Sequence, residues 1–233
     1  MKMQVAIVLY PGMTALDAIG PYEVLRYLPG SEIRFLHHAV GPVMTDSGVL
    51  TLGASHTFEQ TPAPDLLLVP GSESDTGSAA ADAKLLAWLR NAHLTTRWTT
   101  SVCSGAVVLA AAGLLKGLPA TTHWAAQGWL GKLGAIPQRD QRVVRSGKIV
   151  TAAGVSAGID LALFLLGQIS GRERAEVAQL MIEYDPQPPF DAGHPSKAAP
   201  RVFELAKAEL KQRSSNPKVP PAAVPRIIRR PPA

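Results

Sequence analysis

Apolar runs of strand length alternate along this chain with stretches whose apolar positions recur at helical spacing. Gln4–Tyr10 is a nearly unbroken apolar run, the pattern of a strand covered on both faces. Pro21–Leu28 follows as a short helix with proline in its first turn, and Ile33–Ala39 as a second strand. Val43–Leu52 reads as a hairpin around the turn-forming Asp46-Ser47-Gly48. Asp65–Val69 is a further buried strand that stops at Pro70-Gly71, and Asp82–Leu94 is a helix with Leu85, Leu86, Leu89 and Ala92 on one face. Trp98–Val102 is the next strand, and an alanine-rich helix runs from there to about Leu115, where Gly117 ends it. A helix at 123–133, a hairpin pairing 143–145 with 149–153, and helices at 156–169, 172–184 and 201–211 complete the pattern, with a proline-rich loop over 186–195. Strands and helices joined by short connections predict a doubly wound, mostly parallel α/β sheet with helices on both faces. In such a sheet the site lies beyond the C-terminal ends of the strands. That places the loops carrying Asp17, Gly71-Ser72 and Cys103 together.

Composition removes several function classes. The longest near-apolar stretch, Ala106–Leu115, is too short for a membrane helix, which takes about 20 residues. The N-terminal run lacks the h-region and cleavage pattern of a leader and reads as the first strand. The single cysteine permits no internal disulfide and suits a reducing, cytoplasmic setting. The net charge of +5 comes from the end of the chain. Six bases follow Glu209 with no acid among them, interleaved with prolines. The expected organisation is therefore a nearly neutral domain over 1–210 and a basic, proline-rich tail over 211–233, solvated and without a specific partner. Nucleic acid and membrane partners are not expected, and a small-molecule substrate is.

The chemistry centres on Cys103 in Ser101-Val102-Cys103-Ser104-Gly105, between a strand and a helix. A residue on a sharp strand-to-helix turn is pushed out of the sheet, and small neighbours two places either side permit the bend. A helix N-terminus behind the sulfur favours thiolate, which predicts a pKa lowered from about 8.5 toward the ~3.5–7.5 range. The competing reading is a small buried core thiol. Asp17 is the one carboxylate in the apolar stretch 14–21. Desolvation there raises a carboxyl pKa and suits it to hold and donate a proton; alternatively it caps the following helix. The backbone amides of Ser72 and Ser104 are candidates for an oxyanion-type pocket beside the sulfur. His123 is a candidate base for Cys103, or a pocket or capping residue. The other histidines lack metal-ligand spacing, so no metal site is expected. A Walker lysine and a GxGxxG run are both missing, which disfavours nucleotides.

These residues resemble the DJ-1/PfpI superfamily, and within it the isonitrile hydratases, over about residues 3–208. The resemblance is carried by Leu16-Asp17-Ala18-Ile19-Gly20-Pro21, Val69-Pro70-Gly71, Ser101-Val102-Cys103-Ser104-Gly105, Ala111-Ala112-Gly113-Leu114-Leu115, Ala120-Thr121-Thr122-His123-Trp124 and Ala157-Gly158-Ile159-Asp160. It implies a flavodoxin-like α/β fold of the class I glutamine amidotransferase-like kind, a homodimer and no cofactor. For activity it implies addition of Cys103 to an isonitrile, with Asp17 supplying the proton, through a thioimidate to a formamide. Cys103, Asp17 and Ser104 are the implied catalytic residues, and Gly71, Ser72, His123, Val155 and Ser156 the implied substrate and oxyanion contacts. Ser104 stands where PfpI-like proteases carry histidine, which argues against peptidase activity. Ser72 stands where the family pattern has a second glycine, and serine resists the positive φ that glycine permits. Val155-Ser156 replaces a bulkier pair at the pocket.

Two rival readings follow from the same superfamily. One is a ligand-sensing module, because similar domains are fused to AraC-type DNA-binding domains; the 24 residues after Glu209 are too few and too proline-rich for a helix-turn-helix, which leaves a stand-alone sensor. The other is a different thiol enzyme of glyoxalase-like or amidase type.

Overall fold

The computed structural model describes residues 3–215. The chain begins with strand β1 (Met3–Val8), helix α1 (Ala15–Leu25) and strand β2 (Ser31–His37), then the hairpin β3 (Gly41–Met44) and β4 (Thr51–Ala54) and the short β5 (His56–Thr57). Next come β6 (Leu66–Val69), α2 (Thr76–Ala81), α3 (Ala83–Thr95), β7 (Trp98–Ser101) and α4 (Gly105–Ala111). After β8 (Pro119–Ala120) and a 3-10 turn (Trp124–Ala126) lie α5 (Gln127–Lys132), β9 (Ile136–Pro137), β10 (Val143–Ser146) and β11 (Ile149–Ala152). Three helices close the described chain: α6 (Ala157–Ser170), α7 (Arg172–Met181) and α8 (Pro200–Ser215).

The central sheet has the order β10-β11-β7-β6-β1-β2-β5. All its neighbours are parallel except the edge pair β10 and β11. Its middle is dry: β6, β7 and β11 are buried at every position, because parallel strands sandwiched between helices present both faces to a core. Helix α6 packs against both α1 and α7, and α2 and α3 pack with α4. This is the doubly wound, mostly parallel α/β sheet that the alternation predicts, in the flavodoxin-like form that the resemblance implies. Among the described residues no helix is long and apolar enough to cross a membrane.

Three boundaries differ from expectation in ways that shape the site. The first helix starts at Ala15 and runs through Pro21, so Asp17 lies inside its first turn and does not cap it; Thr14 holds the N-cap position. Proline is accommodated there because α1 crosses α6 at Gly158, where even a Cβ would sit 3.0 Å from the Pro21 ring. The loop after β6 contains α2, a six-residue alanine-rich turn of helix that the periodicity does not reveal. The final helix extends to Ser215, beyond residue 210, and the rest of the basic tail lies outside the described residues.

The β3–β4 hairpin is tied to the loop after β1 by the Gly12 amide on the Met44 carbonyl and the Asp46 amide on the Met13 carbonyl, each at 2.9 Å. It thereby carries Asp46 to the sheet's C-terminal edge, where Thr14 Oγ1 donates to its carboxylate.

Candidate active site

Cys103 lies two residues beyond β7 and two before α4, with φ of +57°, a left-handed conformation that residues other than glycine rarely adopt. Three contacts hold it there. Its amide donates to the Ala153 carbonyl at 2.7 Å, Thr122 Oγ1 donates to its carbonyl at 2.7 Å, and the Val102 amide donates to the Val69 carbonyl at 3.0 Å. Gly105 opens α4 against the Val69 and Pro70 carbonyls, where a side chain has no room. Strain at one residue, secured by bonds from three other segments, is how a fold keeps a nucleophile aimed.

Asp17 reaches the same point from α1. It is fully buried, and its Oδ2 accepts the Gly71 amide at 2.8 Å. Its Oδ1 is buried with no hydrogen-bond partner, and the side chain that interacts with the carboxylate is the Cys103 thiol. Burial, outweighing the Gly71 and Cys103 contacts, raises the Asp17 pKa to about 7. A buried carboxyl with an uncommitted oxygen beside a thiol is positioned to exchange a proton.

The thiol departs from expectation. Burial pushes the Cys103 pKa well above its ordinary value, and the neighbouring Asp17 charge adds to this. The amides of Ser104 and Val155 oppose the shift without overcoming it. Helix α4 spans only seven residues, and the sulfur is sealed to 5% exposure, so desolvation dominates the dipole. Burial and the Asp17 charge therefore favour the thiol form of Cys103 over a free-standing thiolate.

The predicted oxyanion donors also change. The Ser72 amide is spent on Ser104 Oγ at 2.9 Å and the Gly71 amide on Asp17, so neither faces the sulfur. The amides that do are those of Ser104 and Val155. Ser72 fits without positive φ; its hydroxyl donates to the Gly12 carbonyl at 2.5 Å and accepts the Asp75 amide at 2.8 Å. Close approach is required one residue earlier. A Cβ on Gly71 would lie 2.5 Å from the Ser104 nitrogen and 2.9 Å from the Cys103 Cβ. Gly71→Ala is expected to cost about 1–3 kcal/mol of stability and to displace both Asp17 and Cys103, which thermal melts and activity assays of one preparation will register together.

The remaining side chains divide around two cavities. The first, of about 320 Å³, is lined by Cys103, Ser104, Ser72, Thr14, Asp46, Glu73, Ser74, Thr76, His123, Ala125, Ala126, Trp129, Val155 and Leu210. The second, about 540 Å³, adjoins it across His123 and Val155 and is lined by Ser156. Ser156 does not line the cysteine cavity: it holds the N-cap position of α6, and its hydroxyl lies 3.3 Å from an Arg142 nitrogen that donates to it. The Ser104 hydroxyl is bound into a network with Thr76 Oγ1, at 2.6 Å, and the Ser72 carbonyl, at 3.1 Å, which fixes the two loops to each other. His123 accepts the Ala125 amide on Nδ1, and burial lowers its pKa, so it lines the cavity as a neutral ring. Sequence reasoning missed Thr76, Thr122 and Tyr10. Tyr10 is buried beside Asp17 and Cys103, with its hydroxyl donating to the Pro70 carbonyl at 2.9 Å. Thr122 sits in the Ala120–Trp124 motif and was within reach; nothing in the sequence marks Thr76. Among the described residues no group of three or more His, Cys, Asp or Glu could hold a metal ion.

A strained cysteine on a strand-to-helix elbow, facing a buried carboxyl from the first helix at the open edge of a doubly wound sheet, defines an α/β thiol-site protein. The chain belongs to the DJ-1/PfpI family, whose sequence pattern matches residues 3–168. It is 42% identical over 207 residues to an isonitrile hydratase of Pseudomonas putida, covering 89% of this chain and 90% of that protein. A solved structure of a ThiJ/PfpI family protein from Pseudomonas syringae superimposes with a TM-score of 0.85 at 39% identity, covering 92% of this chain and 90% of the other. An HTH-type transcriptional regulator of Pseudomonas aeruginosa, CdhR, is 28% identical over 173 residues, which is 72% of this chain but 51% of the regulator.

Proposed function

We propose that this protein is a cysteine-dependent isonitrile hydratase, a hydro-lyase converting R–N≡C and water to an N-substituted formamide. The observation that carries the reading is the buried Cys103–Asp17 pair, set in a chain 42% identical to an isonitrile hydratase along nearly its whole length. As Cys103 sulfur attacks the terminal isonitrile carbon, Asp17 takes the thiol proton and passes it to that carbon, giving the thioimidate R–N=CH–S–Cys103. Water adds next: its oxygen bonds to the same carbon and a proton goes to nitrogen. The tetrahedral adduct R–NH–CH(OH)–S–Cys103 then collapses, the carbon–sulfur bond breaks, and the hydroxyl proton returns through Asp17 to the sulfur. Formamide leaves and the pair regains its single proton.

Covalent catalysis suits this substrate, because an isonitrile carbon resists water yet accepts sulfur in a dry site. The Ser104 and Val155 amides stabilise charge on the sulfur during attack and departure. The cavity, lined by Ala125, Ala126, Trp129, Val155 and Leu210 together with the acidic Asp46 and Glu73, supports an uncharged small molecule as substrate.

Purified protein incubated with cyclohexyl or p-nitrophenyl isocyanide is expected to release the matching formamide, followed by chromatography and mass spectrometry. Turnover of no isonitrile, with methylglyoxal consumed instead, would transfer the site to glyoxalase-like chemistry. A sensing role, favoured by the likeness to the CdhR regulator, requires saturable isonitrile binding without product.

A further inference from the structure

One wall of the cysteine cavity comes from outside the family pattern. That pattern ends at residue 168, and α8 (Pro200–Ser215) lies wholly beyond it. Among the described side chains of α8 after Pro200, only Phe203, Ala206 and Leu210 are half-buried; the others are exposed. Their spacing puts them on one face of the helix, and Arg213 continues that face. The face is fastened at both ends. Phe203 packs on Trp124 with ring centroids 5.3 Å apart, and Arg213 pairs with Glu73 at 3.2 Å. Trp124 follows His123 at one side of the cavity, while Glu73 follows Ser72 at the other. Between these two anchors Leu210 enters the cavity wall.

We propose that Leu210 is a specificity-determining residue, and that α8 restricts the site to compact, apolar, uncharged N-substituents. Leu210 joins Ala125, Ala126 and Trp129 as apolar surface of the cavity that Cys103 lines, and an apolar R group is what such a surface desolvates. Asp46 and Glu73 also line the cavity, so an anionic substituent meets like charge there. The Arg213–Glu73 pair is solvent-exposed and contributes little, so Arg213→Ala changes access by no more than about two- to threefold. Leu210 carries the larger effect, since a pocket that gains or loses methylene-sized volume changes discrimination by about 10- to 200-fold.

The substrate class rests on the isonitrile reading, whereas the wall can be tested without it. Cys103 is the only cysteine, so alkylation of the full chain reports on this cavity alone. The rate ratio between a bulky reagent, N-(1-pyrenyl)maleimide, and compact iodoacetamide cancels the thiolate fraction. Leu210→Ala is expected to raise that ratio by about tenfold and Leu210→Trp to lower it, with circular dichroism unchanged. The preference between 1-naphthyl and isopropyl isocyanide should shift in the same directions. A ratio unmoved by both substitutions overturns the proposal. A shifted ratio in a protein that hydrates no isonitrile keeps the wall and removes the isonitrile reading.

Discussion

Cys103→Ala is expected to abolish isonitrile hydration, lowering kcat by about 10⁴-fold or more, while the protein remains folded. Sulfur forms the only covalent bond to substrate in the proposed cycle, and no other described nucleophile shares its position: the Ser104 hydroxyl is engaged with Thr76 and the Ser72 carbonyl. The structural cost of the change is small. Removing one buried sulfur leaves a space smaller than a Leu→Ala cavity, worth about 1 kcal/mol, and the main-chain bonds at Ala153 and Thr122 persist because they involve no side-chain atom of Cys103. Cys103→Ser checks the chemistry separately: it preserves size and polarity but puts a far weaker nucleophile at φ +57°. Paired kinetics and thermal melts on both variants will distinguish lost chemistry from lost structure.

Asp17→Asn is expected to lower kcat by about 10²- to 10⁴-fold and, at the same time, to stabilise the fold above pH 7. In the unfolded chain this carboxyl releases its proton near 3.8, but in the folded protein only near 7. Between those values the folded state binds the extra proton, so folding is favoured at low pH and weakened as pH rises toward 7. Above pH 7 the full penalty applies, on the order of 4 kcal/mol. The amide substitution removes it. The variant's advantage in melting temperature should therefore be absent at pH 4, grow through pH 5–6 and level off beyond 7. Asparagine keeps an acceptor for the Gly71 amide, so the comparison isolates the charge. In the wild-type enzyme the productive state holds one proton on the pair, so kcat/KM should rise with pH through about 7 to a plateau. Asp17→Asn should lose that limb.

The sheet was legible because its central strands are continuous apolar runs that need no partner information: Leu66–Val69 and Trp98–Ser101 are buried at every position. The meeting of Cys103 and Asp17 was legible for a topological reason, since loops after parallel strands converge at one edge. What escaped depends on distant packing. Proline at 21 suggested a helix start, yet α1 runs through it because Gly158, far along the chain, leaves room. The thiol's direction of shift depends on desolvation by burial and on the Asp17 charge, and a dipole argument from one short helix misses both. Ser156 falls one residue beyond Val155, and the start of α6 turns it toward the neighbouring cavity. Phe203, Ala206 and Leu210 announce an amphipathic helix, but nothing in their spacing says that it docks over Cys103.

In the proposed cycle the isonitrile carbon bonds to Cys103 sulfur on the way to formamide. Intact-mass spectrometry of enzyme acid-quenched during turnover of p-nitrophenyl isocyanide tests it most directly, with Cys103→Ser carried in parallel. A mass increase of one isonitrile is expected on the wild-type chain, located by peptide mapping at Cys103, with neither adduct nor formamide from the variant. Formamide produced by Cys103→Ser at the wild-type rate, with both proteins at unmodified mass, would contradict it.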